Sequence, residues 1–408
     1  MGKSRADEHQ AFLNWLLEQI VAQQVDALIV AGDIFDTGAP PSYAREMLNQ
    51  FVVDLNDSGC QFIILGGNHD SVATLNESKA LLACLHTQVI ASANYSSDNP
   101  EDAIIPLHKR HGKEDADVGA ILCAVPFIRL RDVMTSQAGQ SADDKKKSLQ
   151  QAISDYYQTL YQQADKVRQT FEQDLPLIAT GHLTTVGATT SDSVREIYIG
   201  TLDAFPASAF PPFDYIALGH IHKSQKVAKS DHIRYSGSPI PLSFDESKVK
   251  KSVLLLDFDG AQFKQAQAME IPCFQPMQQV TGDLKSIETQ LKGLSESAAH
   301  EQKTWVEITV SSQDYLPDLQ PRIEQITEKL SIDVLRLRRE RNSKSSYLQG
   351  IEKETLNELG VMDVFERRLA EEQWDNKADQ ARRKRIKQLF KKVLAEQEES
   401  PPAGEKTV

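Results

Sequence analysis

The stretch that decides the fold is Phe62-Ile63-Ile64-Leu65-Gly66-Gly67-Asn68-His69-Asp70. Four apolar residues running into a Gly-Gly pair predict a buried strand that breaks into a tight turn. The turn presents Asn68, His69 and Asp70 at the strand's carboxyl end, where open α/β sheets keep their ligands. The amide oxygen of Asn68 is a neutral metal ligand, and His69 exchanges a proton near neutral pH. A polar loop with no further role would look the same in isolation, so its partners elsewhere in the chain must decide.

Upstream, Ala27-Leu28-Ile29-Val30-Ala31 predicts a strand running into Gly32-Asp33-Ile34-Phe35-Asp36. Downstream, strands are expected at 89–90, 120–125, 177–180, 215–218, 233–236 and 253–258. Phe12, Leu13, Leu16, Leu17 and Ile20 recur at helical spacing, and further helices are expected over about 43–56, 75–85 and 144–171. This alternation implies an α/β fold with parallel strands and right-handed crossovers. After Asp259-Gly260 the character changes. Residues 271–276 read as a linker, followed by a cap of two strands (305–310, 332–337) under two helices (284–291, 319–330).

From about Arg338 the chain is highly charged. Two apolar stripes, Val364, Phe365, Leu369 and Trp374, then Ile386, Leu389, Phe390, Val393 and Leu394, have no core of their own. They read as a pair of partner-binding helices, with a tail folded back on the cap as the plainer alternative. The expected organisation is therefore 1–262, a cap at 276–338, a helical tail at 339–400 and disorder over 401–408.

With 408 residues, 40% hydrophobic and 25% charged, the chain suits a multidomain globular protein. No apolar run approaches the roughly 20 residues that cross a bilayer, and residues 1–8 show no apolar core of a signal peptide. Cys60, Cys84, Cys123 and Cys273 are scattered, which suits free thiols in the cytoplasm better than a zinc site. The net charge of −13 advertises no nucleic acid globally. Action on DNA would need bound cations, a local basic surface or a basic partner; Arg129, Arg131 and Lys223 lie near strand ends.

Four polar clusters follow apolar strands: Asp33 with Asp36, Asn68-His69-Asp70, Gly181-His182, and Gly219-His220-Ile221-His222. Any one is weak evidence, but together and in this order they predict a site for two divalent cations about 3.5–4 Å apart. Asp33 has a carboxylate oxygen for each ion. His220 and His222 would point to the same side if the backbone stays extended. Carboxylate, amide and imidazole ligands without thiolate suit manganese, iron or zinc. His69 is then free to donate to a phosphate or protonate a leaving oxygen, with Asp36 placed to orient it.

Gly-Asp-Ile-Phe-Asp, Gly-Asn-His-Asp, Gly-His and Gly-His-Ile-His resemble the metallophosphoesterase signature. Residues 31–41, 68–78, 181–188, 197–207 and 235–246, with Val364-Phe365-Glu366-Arg367-Arg368-Leu369, resemble the SbcD family of that superfamily. The resemblance implies a layered α/β/β/α sandwich with a cap and a helical tail. It implies an ATP-dependent, manganese-requiring nuclease of DNA ends (3′ to 5′) and hairpins, in replication and recombination. It further implies a homodimer bound to the SbcC ATPase. One cation would take Asp33, Asn68, His182 and His220, and the second Asp33 and His222. The family also has an Asp-x-His motif on a first strand. No such motif follows a strand here: Asp7-Glu8-His9 has the spacing but opens an amphipathic helix. Two expectations stay open. A longer natural chain would carry the strand and its motif, or this is a non-catalytic member that still binds SbcC. A small-substrate metallophosphoesterase is a third, weaker alternative.

Overall fold

A computed structural model describes residues 3–93, 100–112, 117–133, 142–194, 204–296, 302–311, 318–340, 383 and 385–390. Two compact units divide the chain, Met1–Arg339 and Glu340–Val408. In the second, 385–390 is helical. The expected stripe from Val364 to Trp374, residues Val393 and Leu394, and the tail from Pro401 lie outside the described residues.

In the first unit, α1 (Ala6–Ala22), β1 (Ala27–Val30), α2 (Ser42–Asn56), β2 (Gln61–Leu65), α3 (Val72–Glu77), α4 (Lys79–Ala83) and β3 (Thr87–Ile90) build a parallel sheet ordered β1-β2-β3. A second sheet follows from β4 (Ile104–His108), β5 (Val118–Cys123), α5 (Leu130–Val133), α6 (Ala142–Arg168), β6 (Leu177–His182), β7 (Tyr215–Gly219), β8 (Gln225–Lys226) and β9 (Ile233–Tyr235). Its order is β4-β5-β6-β7-β9-β8, parallel through β5-β6-β7-β9 and antiparallel at both edges.

The period of two along each strand sorts these elements into layers. On β2, Phe62 and Ile64 pack with Phe12, Leu16 and Ile20 of α1 and Phe51, Val52 and Leu55 of α2. The alternate residues Ile63 and Leu65 meet Ile105, Leu107, Ala120, Leu122, Ile178 and Tyr215 of the second sheet. On β5, Ile121 and Cys123 face away, onto Leu149, Ile153, Tyr157 and Leu160 of α6. The outcome is helices, sheet, sheet, helix, the expected α/β/β/α sandwich. Among the described residues β1 ends its sheet with β2 as its one partner, and its four residues are only half-buried.

Several elements depart from the sequence reading. The helix expected over 75–85 is two short helices broken at Ser78 (φ −106°, ψ 4°). β10 (Ser252–Asp259) does not end its unit: it turns at Gly260 (φ 56°) into β11 (Gln262–Glu270), an antiparallel hairpin. The segment read from the sequence as a cap has three parallel strands, not two. They are β12 (Met277–Gly282), β13 (Thr304–Val310) and β14 (Ile332–Arg339), with α7 (Leu284–Glu296) and α8 (Leu319–Thr327) between them in the chain. Met277 of β12 and Trp305 of β13 pack with Phe244, and the Arg5 guanidinium stacks on Trp305 at 5.3 Å.

Candidate metal centre

The carboxyl ends of β1, β2, β6 and β7 converge: His182 is the last residue of β6, and the turns after β1, β2 and β7 bring Asp33, Asn68 and His220 to it. After β1, Asp33 adopts φ 54°, and after β7, His220 adopts φ 88°. Such left-handed conformations cost a non-glycine residue about 1–3 kcal/mol and persist where surrounding contacts over-determine them. Here they bring Asp33, His182 and His220 together: one ligand atom from each lies within 4.8 Å of the others. Asn68 completes the group. Its Oδ1 is 2.8 Å from His182 Nε2 and 3.2 Å from His220 Nδ1.

The walls of the site admit no side chains. A Cβ on Gly67 would stand 2.1 Å from Asp33 Oδ1, and one on Gly219 would stand 1.8 Å from the Ala31 carbonyl oxygen. That same carbonyl accepts a hydrogen bond from His182 Nδ1 at 2.8 Å. With Nδ1 carrying the proton, the Nε2 lone pair of His182 faces Asn68 Oδ1 and, at 3.2 Å, Asp33 Oδ2. In that tautomer lone pairs converge with no proton between them, and a cation would satisfy them. His220 Nε2 is moreover buried without a hydrogen-bond partner. Burial alone would raise the Asp33 carboxyl, but a His182 ring that carries a proton on Nε2 as well, and then the His69 amide, outweigh it and hold it at about 2; a cation would take that proton's place. Burial, then the neighbouring His182, push the His220 imidazole down to about 3. At neutral pH the site thus offers a carboxylate and an unprotonated imidazole, the forms a metal requires. The residues fit a divalent cation.

His69 and Asp36 sit beside this group. The His69 amide donates to Asp33 Oδ1 at 3.1 Å, and its Nδ1 donates to the main-chain carbonyl of Asp36 at 2.9 Å. The Asp36 carboxylate, 82% exposed, is farther off at 3.4 Å. Asp36 therefore orients the ring chiefly through its backbone. His222 is not in the three-residue cluster. The extended backbone that would align it with His220 does not exist, because β7 ends at Gly219 and His220 takes a positive φ. Its Nδ1 is engaged instead by Ser193 at 2.6 Å and Glu246 at 3.3 Å.

Sequence reasoning gave Asp70 no role. Its buried carboxylate accepts from the amides of Gly67 (2.8 Å), Ile34 (3.1 Å) and Phe35 (3.0 Å), tying the β1 and β2 turns together. Its place beside Asn68 and His69 was the available signal. Arg129 braces that turn, donating from Nη2 to the Asp70 carbonyl at 3.1 Å while lying over Phe127. Asp7-Glu8-His9 stays within α1, where Glu8 is ion-paired with Arg5.

Comparison with known proteins agrees with this architecture. The family model for the calcineurin-like phosphoesterases, which use divalent metals, matches residues 6–224, and that for the "Type 5 capsule protein repressor C-terminal domain" of SbcD matches 273–373. The SbcD subunit of the nuclease SbcCD from Escherichia coli (strain K12) is 49% identical over 392 residues, covering 96% of this chain and 94% of that protein. Its namesakes from Rhodobacter capsulatus and Bacillus subtilis are 34% and 31% identical over 64% and 63% of the chain, and 63% and 62% of theirs. The chain belongs to the SbcD family of calcineurin-like phosphoesterases.

Proposed function

We propose that this chain is the nuclease subunit of an SbcCD-type complex, hydrolysing phosphodiester bonds at DNA ends (3′ to 5′) and hairpins as a homodimer with the SbcC ATPase. The observation that carries the reading is the meeting of Asp33, Asn68, His182 and His220 at one point. One cation is assigned to those four residues and a second to Asp33 and His222. Manganese suits a set of carboxylate, amide and imidazole without thiolate. When bound, such cations polarise phosphoryl oxygens and lower the pKa of water. His69 keeps its Nδ1 proton on the Asp36 carbonyl, so, once the ring carries a second proton on Nε2, Nε2 is the atom that would pass it to the leaving oxygen. Direct reading of bases is not required, since contacts to phosphate suffice for end processing. The sheet of β12–β14 is assigned as the cap, and 339–400 as the segment that binds the ATPase. No helix among the described residues is long and apolar enough to cross a membrane, and a cytoplasmic place suits the assignment.

The test is cleavage of linear duplex and hairpin DNA by the purified chain with SbcC, ATP and Mn2+. Asp33→Ala and His182→Ala should abolish cleavage while leaving SbcC binding intact. Variants as active as the parent would overturn the assignment. A non-catalytic SbcC-binding subunit is the second reading. What supports it is that only one cluster of three side chains able to hold a metal forms among the described residues. It requires the parent chain itself to be inactive while SbcC still copurifies.

A further inference from the structure

His222 is gripped at both ends by a buried polar cluster that the proposed hydrolysis does not use. Its carbonyl oxygen accepts from Lys251 Nζ at 3.0 Å and from the Ser238 amide at 3.1 Å. Its Nδ1 meets Ser193 Oγ at 2.6 Å and Glu246 Oε1 at 3.3 Å. Glu246 and Lys251 are 2% and 7% exposed and paired at 2.6 Å. Three segments converge on this point: the loop of Ser191 and Ser193, the short 3-10 turn Phe244–Glu246, and the entry to β10.

Counting protons orients the bonds that reach His222. An ionised Glu246 only accepts, and Lys251 uses its three protons on Glu246 Oε2, Ser238 Oγ at 2.8 Å and the His222 carbonyl. Glu246 also takes the Ser191 hydroxyl at 2.7 Å and the Leu242 amide at 3.1 Å. Ser193 hydrogen-bonds Glu246 Oε1 as well. Its one hydroxyl proton is used there, so Ser193 Oγ can only accept from His222. Nδ1 must therefore carry the ring proton, and the lone pair is on Nε2. A buried ion pair is weak evidence for stability, because apolar residues of similar volume often serve as well. A tautomer lock gives it another purpose: carboxylates commonly fix a ligand histidine by taking the proton of its non-ligating nitrogen. At His182 the Ala31 carbonyl does the same task directly.

We infer that Glu246, anchored by Lys251 and acting through Ser193, is a positioning residue that holds His222 with Nε2 free to ligate a divalent cation. This rests on the assignment of His222 as a ligand of the second ion. The test uses the full chain, metal-free and then titrated with Mn2+ by calorimetry, alongside 15N-histidine NMR. Ser193→Ala and Glu246→Gln should weaken one class of Mn2+ sites about 10–100-fold and leave the other unchanged. Ser193→Thr, which keeps the hydroxyl, should restore it. In the metal-free parent, His222 should show the Nδ1–H tautomer, lost or mixed in Ser193→Ala. Should Glu246→Gln fail to fold, Ser193→Ala on its half-exposed loop decides. If His222→Ala removes a class of Mn2+ sites but Ser193→Ala leaves both that class and the tautomer unchanged, the positioning role is overturned and the ligand assignment stands. If His222→Ala leaves Mn2+ binding unchanged, the ligand assignment fails and takes the inference with it.

Discussion

Asp70 shows how much one side chain contributes here without meeting a substrate. Three main-chain amides from two turns end on its buried carboxylate. Asp70→Ala leaves all three without this partner, the Gly67 amide in a buried place and those of Ile34 and Phe35 in part-buried ones. At roughly 1–3 kcal/mol for a buried donor without a partner, with partial relaxation, a loss of about 3 kcal/mol is expected, read as a shift in the urea midpoint. Mn2+ affinity should fall with it, because the Asp33 and Asn68 turns are then free to part. That Asp33, Asn68, His182 and His220 belong together was readable from the chain, since each ends or follows an apolar strand. Which atom each one offers was not. That depends on partners such as the Ala31 carbonyl, more than 150 residues from His182, and on the positive φ of His220.

Secondary elements carry these turns to one edge, and the spacing between elements leaves no margin. Gly219 closes β7 where the end of β1 passes, so close that a Cβ would overlap the Ala31 carbonyl. Backbone cannot yield as a flexible side chain does. Gly219→Ala should therefore cost at least the usual 1–3 kcal/mol of overpacking, seen as a lowered melting temperature, and displace His182 enough to lose Mn2+ binding. Strands that alternate or run apolar were predicted close to their observed bounds. Those missed have physical reasons. β4 contains Pro106 and pairs only at the sheet edge, and β8 is two residues long. β11 is largely exposed and polar. Asp259-Gly260 is nonetheless a known hairpin signal, read here as a domain's end because the residues beyond it lack an apolar run.

Across the molecule, burial separates four chemically identical thiols. Cys60 and Cys123 lie in the packed layers, and Cys84 and Cys273 are exposed. Burial pushes both buried thiols up to about 12, and it also raises Cys273. A thiol reagent at pH 8 should label Cys84 first and Cys273 more slowly. Cys60 and Cys123 should remain unlabelled until the chain unfolds, as peptide mapping would show. The raised values also set a sign: a group harder to ionise in the folded state adds stability that is fully present below about 8.5 and lost as pH rises toward 12. The urea midpoint should fall across that window, and less steeply in a Cys60→Ala, Cys123→Ala double variant. By itself the sequence determined most of the strand–helix order, the α/β class and the grouping of Asp33, Asn68, His182 and His220, because apolar period and residue chemistry are local properties. Tertiary structure alone decided that His222 turns to Ser193 and Glu246, that Asp36 holds His69 through its carbonyl, and which imidazole nitrogen stays free. Those outcomes depend on hydrogen bonds between segments far apart in the chain, which no local pattern encodes.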